Sequence, residues 1–333
     1  MQEQITAIIP KEFSGVISIT KNHQSIYQKA FNYADKPNKR LNQLDTKFGM
    51  ASGSKTFIAL GILTLIEEGK LALTDTIGAL MNIDWKQIDA EITVEQLLTH
   101  TSGIPDYFDE DVMTDYAELW ENLPNYRMRK STDLIPLFID KKMDFPKGTK
   151  FKYSNTGYVV LGLIIEAVTK EKFDTYLAKE LFPTIGMNQT GYYELDRLPG
   201  NCAAGYLFDE PTQQFYSNIY SIDAKGSGAG GGFTTADDIH SLWKQLLTNQ
   251  VLSEAMTREV LSPQTEDTYS YGFWFMKNEE GRAIPYMLGF DPGVRFISSY
   301  NLDKDINITI LCNVEFDEVV ALHREIKGLM DRL

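Results

Sequence analysis

A chain of 333 residues exceeds the usual size of one compact domain and predicts either two packed lobes or one large mixed core. Its 43% hydrophobic and 12% aromatic content is that of an ordinary globular protein and excludes a mainly disordered chain. A formal net charge of -14, with no cluster of Lys and Arg, excludes the electrostatic footprint of a nucleic-acid binder and points to small molecules or peptides as partners.

Met1 to Thr6 lack a basic start, an apolar stretch and a small-residue cleavage site, and no later run is long enough to span a bilayer. As written, the chain is expected to be cytoplasmic, or extracytoplasmic if a leader has been removed. Ser14 to Thr20 alternates and is rich in β-branched residues, and Gln24 to Phe31 reads similarly after Lys21-Asn22-His23, so a hairpin is predicted. The period then changes. Ile58, Ile62, Leu65 and Ile66 form a helical stripe that begins near Ser52 and stops at Gly69, where a left-handed cap is easily made. Thr93 with Gln96 makes a capping box for a short helix through Leu98. A further helix over 156–169 follows the turn Phe145-Pro146-Lys147-Gly148, and Thr235 with Asp238 caps one carrying Ile239, Leu242 and Leu246.

Tyr271 to Met276, Ala283 to Leu288, Arg295 to Asn301 and Ile306 to Asn313 read as four more strands, separated by Asn278, Gly281, Asp291-Pro292-Gly293 and Asp303. Glu318 to Leu333 carries Val319, Leu322, Ile326 and Leu329 at helical spacing and should cover one face of the sheet. The expected fold is α/β (α+β), an antiparallel sheet drawn from both chain ends and flanked by helices. Residues 1–48 and 266–333 form the sheet lobe, and 49–265 form a large, mainly helical insertion.

Cys202 and Cys312 lie far apart, and His23, His100, His240 and His323 are isolated from one another, so neither a disulfide framework nor a metal site is predicted. No cofactor is implied.

Ser52-Gly53-Ser54-Lys55 is a Ser-x-x-Lys at a helix start, where residues three apart share a face and a hydroxyl can meet an amine. A serine hydroxyl is a poor nucleophile at neutral pH, whereas a desolvated lysine can shed its proton and act as base. Ser18-Ile19-Thr20-Lys21 has the same letters but falls on a strand, where residues three apart point to opposite faces. Gly49 to Thr56 is also one residue short of a phosphate-binding loop, with Ser54 at the second glycine position and no long buried strand ahead of it.

Tyr153-Ser154-Asn155 supplies a tyrosine that, beside Lys55, would carry a lowered pKa and shuttle the serine proton, and an amide to orient Lys55 or a substrate carbonyl. Tyr216-Ser217-Asn218 repeats these letters. The order of motifs resembles the beta-lactamase-like serine hydrolases, in particular the class C beta-lactamase, DD-peptidase and penicillin-binding protein branch with its esterase and D-amino-acid peptidase relatives. The resemblance spans nearly the whole chain, through Phe48 to Phe57, Leu97 to Pro105, Tyr153 to Tyr158, Gly186-Met187 and Gly228 to Gly232. It selects Tyr153 over Tyr216, because Thr-Gly-Tyr follows it, and implies that Ser52, Lys55 and Tyr153 are catalytic and Asn155 lines the substrate site. His100-Thr101-Ser102-Gly103 is then structural rather than part of a Ser-His-Asp triad. Gly226 to Gly231 fits a tight backbone approach beside the cleft better than a dinucleotide loop, since no clear strand precedes it.

The family's third motif, Lys or His followed by a variable residue and Gly, falls on Met287-Leu288-Gly289 when aligned on Pro292-Gly293. Methionine offers neither the positive charge nor the hydrogen bond usual there. The backbone role survives, with N–H groups of Ser52 and Phe290 expected to form the oxyanion hole. Arg295 is a candidate substitute cation, with a solvent-facing strand arginine as the plainer reading. The expected function is a serine hydrolase that forms an acyl-enzyme with an ester, amide or peptide. The alternatives are a non-catalytic binding protein that kept the fold and a nucleotide binder using Gly49 to Thr56.

Overall fold

Alternating sequences at the two ends of the chain meet in one sheet. The computed structural model describes residues 1–121, 123–265, 268–278 and 280–332. Helix α1 (Gln2–Ala7) precedes the hairpin β1 (Gly15–Lys21) and β2 (Gln24–Phe31), followed by the short strands β3 (Tyr33–Asp35), β4 (Arg40–Leu41) and β5 (Phe48–Gly49). Then come α2 (Lys55–Glu67), α3 (Ile77–Leu80), α4 (Val94–Leu98), α5 (Asn155–Thr169) and α6 (Phe173–Tyr176). A small hairpin of β6 (Tyr206–Asp209) and β7 (Gln214–Ser217), the strand β8 (Phe233–Thr234), α7 (Ala236–Leu247) and α8 (Glu254–Val260) complete the middle of the chain. The last part holds β9 (Tyr269–Ser270), β10 (Phe273–Lys277), β11 (Ala283–Asp291), β12 (Val294–Asn301), β13 (Ile306–Cys312) and α9 (Val319–Asp331).

Seven strands pair antiparallel in the order β2-β1-β13-β12-β11-β10-β9, so the first hairpin docks on the last strand. All four strands expected from the C-terminal pattern form. The period of two decides which side chains face where. Ile306, Ile308 and Ile310 of β13 join Ile17 and Ile19 of β1 under α1 and α9, while Val16, Phe296 and Leu311 face the larger core around α2 and α5. Helix α9 covers its face with Val319, Leu322 and Ile326, as its spacing requires; Leu333, the end of the expected helix, lies outside the described residues.

Helix α7 packs against β1 and β13, and Trp243 donates from Nε1 to Ser298 Oγ at 2.9 Å, anchoring the helix to the sheet through a buried hydroxyl. The middle of the chain is not purely helix and loop, since β5 pairs with β8 and β6 with β7. Helix α2 is apolar on every side from Phe57 to Leu63, and it is buried accordingly among α5 and the sheet. Gly69 closes it at φ +69°.

The capping box at α4 forms in full: Thr93 Oγ1 accepts from Gln96 N at 3.2 Å, and Gln96 Oε1 accepts from Thr93 N at 3.1 Å. Thr93→Ala is therefore expected to cost about 1 kcal/mol of stability, read as a lowered urea midpoint with unchanged slope.

Candidate active site

Strand β5 delivers the chain to a tight 3-10 turn, Ala51–Ser54, and α2 starts immediately after it at Lys55. The helix predicted to begin near Ser52 is thus α-helical only from Lys55. Ala51 sits at φ +47°, a left-handed conformation that a residue with a side chain adopts at a cost and that places Ser52 at the lip of the cleft. Strand β11 presses on this turn. A Cβ on Gly289 would stand 2.0 Å from Met50 O, 2.6 Å from Gly53 N and 2.9 Å from Ser52 N, so only glycine fits. The hydroxyl a phosphate loop would use is already committed, since Thr56 Oγ1 donates to Gly272 O at 2.7 Å, and Ser54, standing at the glycine position, donates from Oγ to Ala51 O at 2.7 Å.

Lys55 is 2% exposed. Its Nζ donates to Ser52 Oγ at 2.8 Å, to Asn155 Oδ1 at 2.8 Å and to the carbonyl of Ala229. Burial disfavours the ammonium and brings its pKa down to about 8, against the pull of Glu110, Asp106 and Asp291. The Ala229 carbonyl is available because the glycine-rich segment lies flat on α5: a Cβ on Gly228 would be 2.0 Å from Tyr158 O. That close approach is the role the sequence assigned to this segment.

Tyr153 stacks on Trp274 with ring centroids 5.7 Å apart, and Lys55 Nζ lies 4.9 Å from its ring centre. The expected lowering of its pKa does not occur. Burial comes first, followed by the negative charge of Glu110, and the phenol is held well above its usual value despite a hydrogen bond with Ser52. Tyr153 is therefore a neutral hydroxyl group. Tyr216, its sequence double, is half exposed on β7.

His100 is buried beside Tyr153, with ring centroids 4.5 Å apart. Its Nδ1 accepts from Ser154 N at 3.1 Å, which fixes the proton on Nε2, and burial keeps the ring neutral, far below the usual histidine pKa. It props the Tyr153 segment, as expected.

Asn155 opens α5 and bridges Lys55 to a group the sequence reading missed. Asp106 is buried, and its carboxylate accepts from Asn155 N (2.7 Å), Asn155 Nδ2 (3.3 Å), Thr156 N (3.0 Å) and Thr156 Oγ1 (3.1 Å). Burial raises its pKa to about 6 against these bonds. The Ile104-Pro105-Asp106 stretch following Gly103 was the available signal, a carboxyl at the end of a segment already tied to the family pattern.

The cleft has a volume of about 710 Å³. Ser52, Asn155 and Phe290 line it, whereas Met287, 1% exposed, packs in the core beneath. Phe290 turns its ring outward, 45% exposed, with the Arg295 guanidinium 5.3 Å from its centre. Arg295 is not the solvent-facing residue expected on this strand. Its side chain is 11% exposed and donates to Asp291 O (2.8 Å), Val294 O (3.0 Å) and Asp317 Oδ1 (2.9 Å), so the cation is held by its own strand end and the loop after β13.

The sequence profile of the family described as Beta-lactamase matches residues 10–327. A penicillin-binding protein of Bacillus subtilis (strain 168) is 27% identical over 327 residues, covering 92% of this chain and 69% of the relative. The crystal structure of a penicillin binding protein from Bacillus halodurans superposes with a TM-score of 0.92 at 32% identity, covering 99% of this chain and all of that one. A D-amino acid amidase from Ochrobactrum anthropi SV3 shares the fold, with a TM-score of 0.74 at 20% identity over 94% of this chain and 89% of its own.

Proposed function

The chain belongs to the beta-lactamase family, and from that premise we propose that it hydrolyses an ester, amide or peptide through an acyl-enzyme on Ser52. One observation carries this reading: a desolvated Lys55 amine, with a pKa brought to about 8, lies 2.8 Å from Ser52 Oγ. A substantial neutral fraction near physiological pH lets Lys55 take the serine proton as Oγ attacks the carbonyl. Tyr153, a neutral phenol beside Ser52 and Lys55, then passes its proton to the leaving group and takes up in exchange the one that Lys55 removed from Ser52. In deacylation, water adds to the acyl carbonyl, gives up its proton along the same path, and Ser52 leaves as the hydroxyl. Asn155 holds the lysine in place.

The oxyanion rests on the N–H groups of Ser52 and Phe290. Support comes from the strand register. Pro292-Gly293 closes a two-residue turn on the Asp291–Val294 pair, so alternation along the ladder leaves Phe290 and Arg295 as an open pair, with the Phe290 N–H turned away from β12. Strand β10 pairs with β11 no further than Tyr286, which leaves that direction free for substrate. Gly289 keeps this peptide against the Ser52 turn.

Intact-mass measurement after treatment with a fluorophosphonate, and separately with p-nitrophenyl acetate, tests the assignment. One adduct per chain is expected, absent from Ser52→Ala. A wild-type chain that resists both reagents, or a Ser52→Ala chain that reacts equally, would return the protein to the non-catalytic binding role.

A further inference from the structure

We propose that the cleft selects substrates that carry an ammonium group, held by Asp223 and Asp291 while the carbonyl is presented to Ser52. The inference rests on the hydrolase reading only for where the carbonyl goes; the ammonium site stands on its own geometry.

Five carboxyl side chains line the cleft, those of Glu110, Asp115, Asp223, Asp291 and Glu315, and among the described residues Arg295 is the one lysine or arginine that does so. Arg295 is already engaged by two backbone carbonyls and Asp317. The position that could have added a cation beside Ser52 is Met287, and it is buried. A carboxylate-bearing ligand would therefore enter a site with acidic walls and no free partner for its charge.

Acidic walls alone would describe a solvated surface, but Asp223 is different. Its Oδ2 accepts from Tyr116 Oη at 3.1 Å, while its Oδ1 is shut off from solvent and has no hydrogen-bond partner. A buried acceptor left empty costs roughly 1–3 kcal/mol, and an N–H brought by a ligand recovers it once the carboxyl, on a residue that lines the cleft, turns to meet it. The carboxyl of Asp291, two residues beyond Gly289 on the strand that borders Ser52, likewise has no side-chain hydrogen bond among the described residues. Phe108, Tyr116 and Tyr193 line the same cleft as these carboxyls and supply aromatic surface for a cation and for the apolar body attached to it.

Protonation follows the same logic. Asp223, faced by Tyr116, Tyr107 and Asp291, is raised to about 8 by burial, and Asp291, faced by Lys55, Glu110 and Arg295, to about 7. A bound ammonium favours both carboxylates, so its affinity climbs as pH rises from 6 to 8.

Titration calorimetry on the wild-type chain with phenethylamine, 2-phenylethanol and 3-phenylpropionate decides the matter, since none of the three can be hydrolysed. The amine is expected to bind at least tenfold more tightly than the alcohol, and the carboxylate least. The Asp223→Asn, Asp291→Asn double variant should bring amine and alcohol to parity; if that variant fails to fold, the wild-type order of the three ligands still decides. Equal binding of amine and alcohol, preference for the carboxylate, or an amine preference that survives the double substitution overturns the proposal. An amine preference in a chain whose Ser52 resists labelling would sink the hydrolase reading and leave this one standing; labelling without the preference does the reverse.

Discussion

Lys55→Met is expected to slow acylation of Ser52 by roughly a thousandfold, the scale of a lost general base, while the protein melts within a few degrees of wild type. Methionine fills the same channel, and two stability effects oppose one another. The wild-type ammonium is carried from a pKa of 10.5 to about 8 by burial, which at neutral pH costs about 3 kcal/mol that methionine does not incur. Against this gain, Asn155 Oδ1 and Ala229 O lose their donor. The sign of the pH dependence follows. Lys55 is a base only when neutral, so wild-type acylation should rise about tenfold per pH unit below pH 8 and flatten above it. Wild-type stability should also rise between pH 8 and 10.5, where the unfolded chain holds the proton that the folded chain has lost. Time-resolved intact-mass labelling across pH, with a melt at each point, separates the two effects. A variant that acylates at the wild-type rate would remove Lys55 from the mechanism.

Asp106→Ala should lower stability by about 3–5 kcal/mol, because four donors at the start of α5 lose their acceptor in a buried place and two of them are backbone N–H groups. Acylation should fall as well, since Asn155 would no longer be held toward Lys55 Nζ. Asp106→Asn keeps one accepting oxygen and is expected to recover part of both losses. Urea unfolding and fluorophosphonate labelling provide the measurements. Full labelling rates in a destabilised Asp106→Ala would make the carboxylate purely structural. Ser154 Oγ still caps Gly157 N in either variant, so α5 itself should survive.

What could be read from the sequence depended on how far each element carries its own signature. The hairpin of β1 and β2 and the four C-terminal strands show as apolar or alternating runs set between turn residues, and Thr93-Gln96 and Thr235-Asp238 mark helix starts by side-chain chemistry local to four residues. Elements of two residues, such as β5 and β8, have no period to detect; they exist because Phe48 and Thr234 find each other across the fold. At the site, Ser52, Lys55, Tyr153 and Asn155 came together because their motifs are short and adjacent to helix starts. The acidic groups Asp106, Asp223 and Asp291 carry no motif of their own, and only the folded chain brings Asp223 and Asp291 to the wall of the cleft and Asp106 to its buried place against Asn155. The direction of the Tyr153 shift was misjudged for the same reason: Lys55 was visible in the sequence, whereas Glu110 and the burial that outweigh it were not. Arg295 was assigned to solvent because a strand's alternation cannot show that the residues after β13 fold back over it.

The pairing of β1 with β13 governs the order in which the molecule can be assembled. During synthesis the first hairpin leaves the ribosome with one edge unsatisfied, and its partner, residues 306–312, follows nearly three hundred residues later. Until then the apolar rows of β1 stay available to aggregation, and the α2–α5 region can gather only around helices. Such long-range closure makes for slow refolding, with the last strand zipping between two already formed hairpin edges as the committing event. Trp274 and Trp243, one beside Tyr153 and one bonded to Ser298 under the sheet, should report that event late and together.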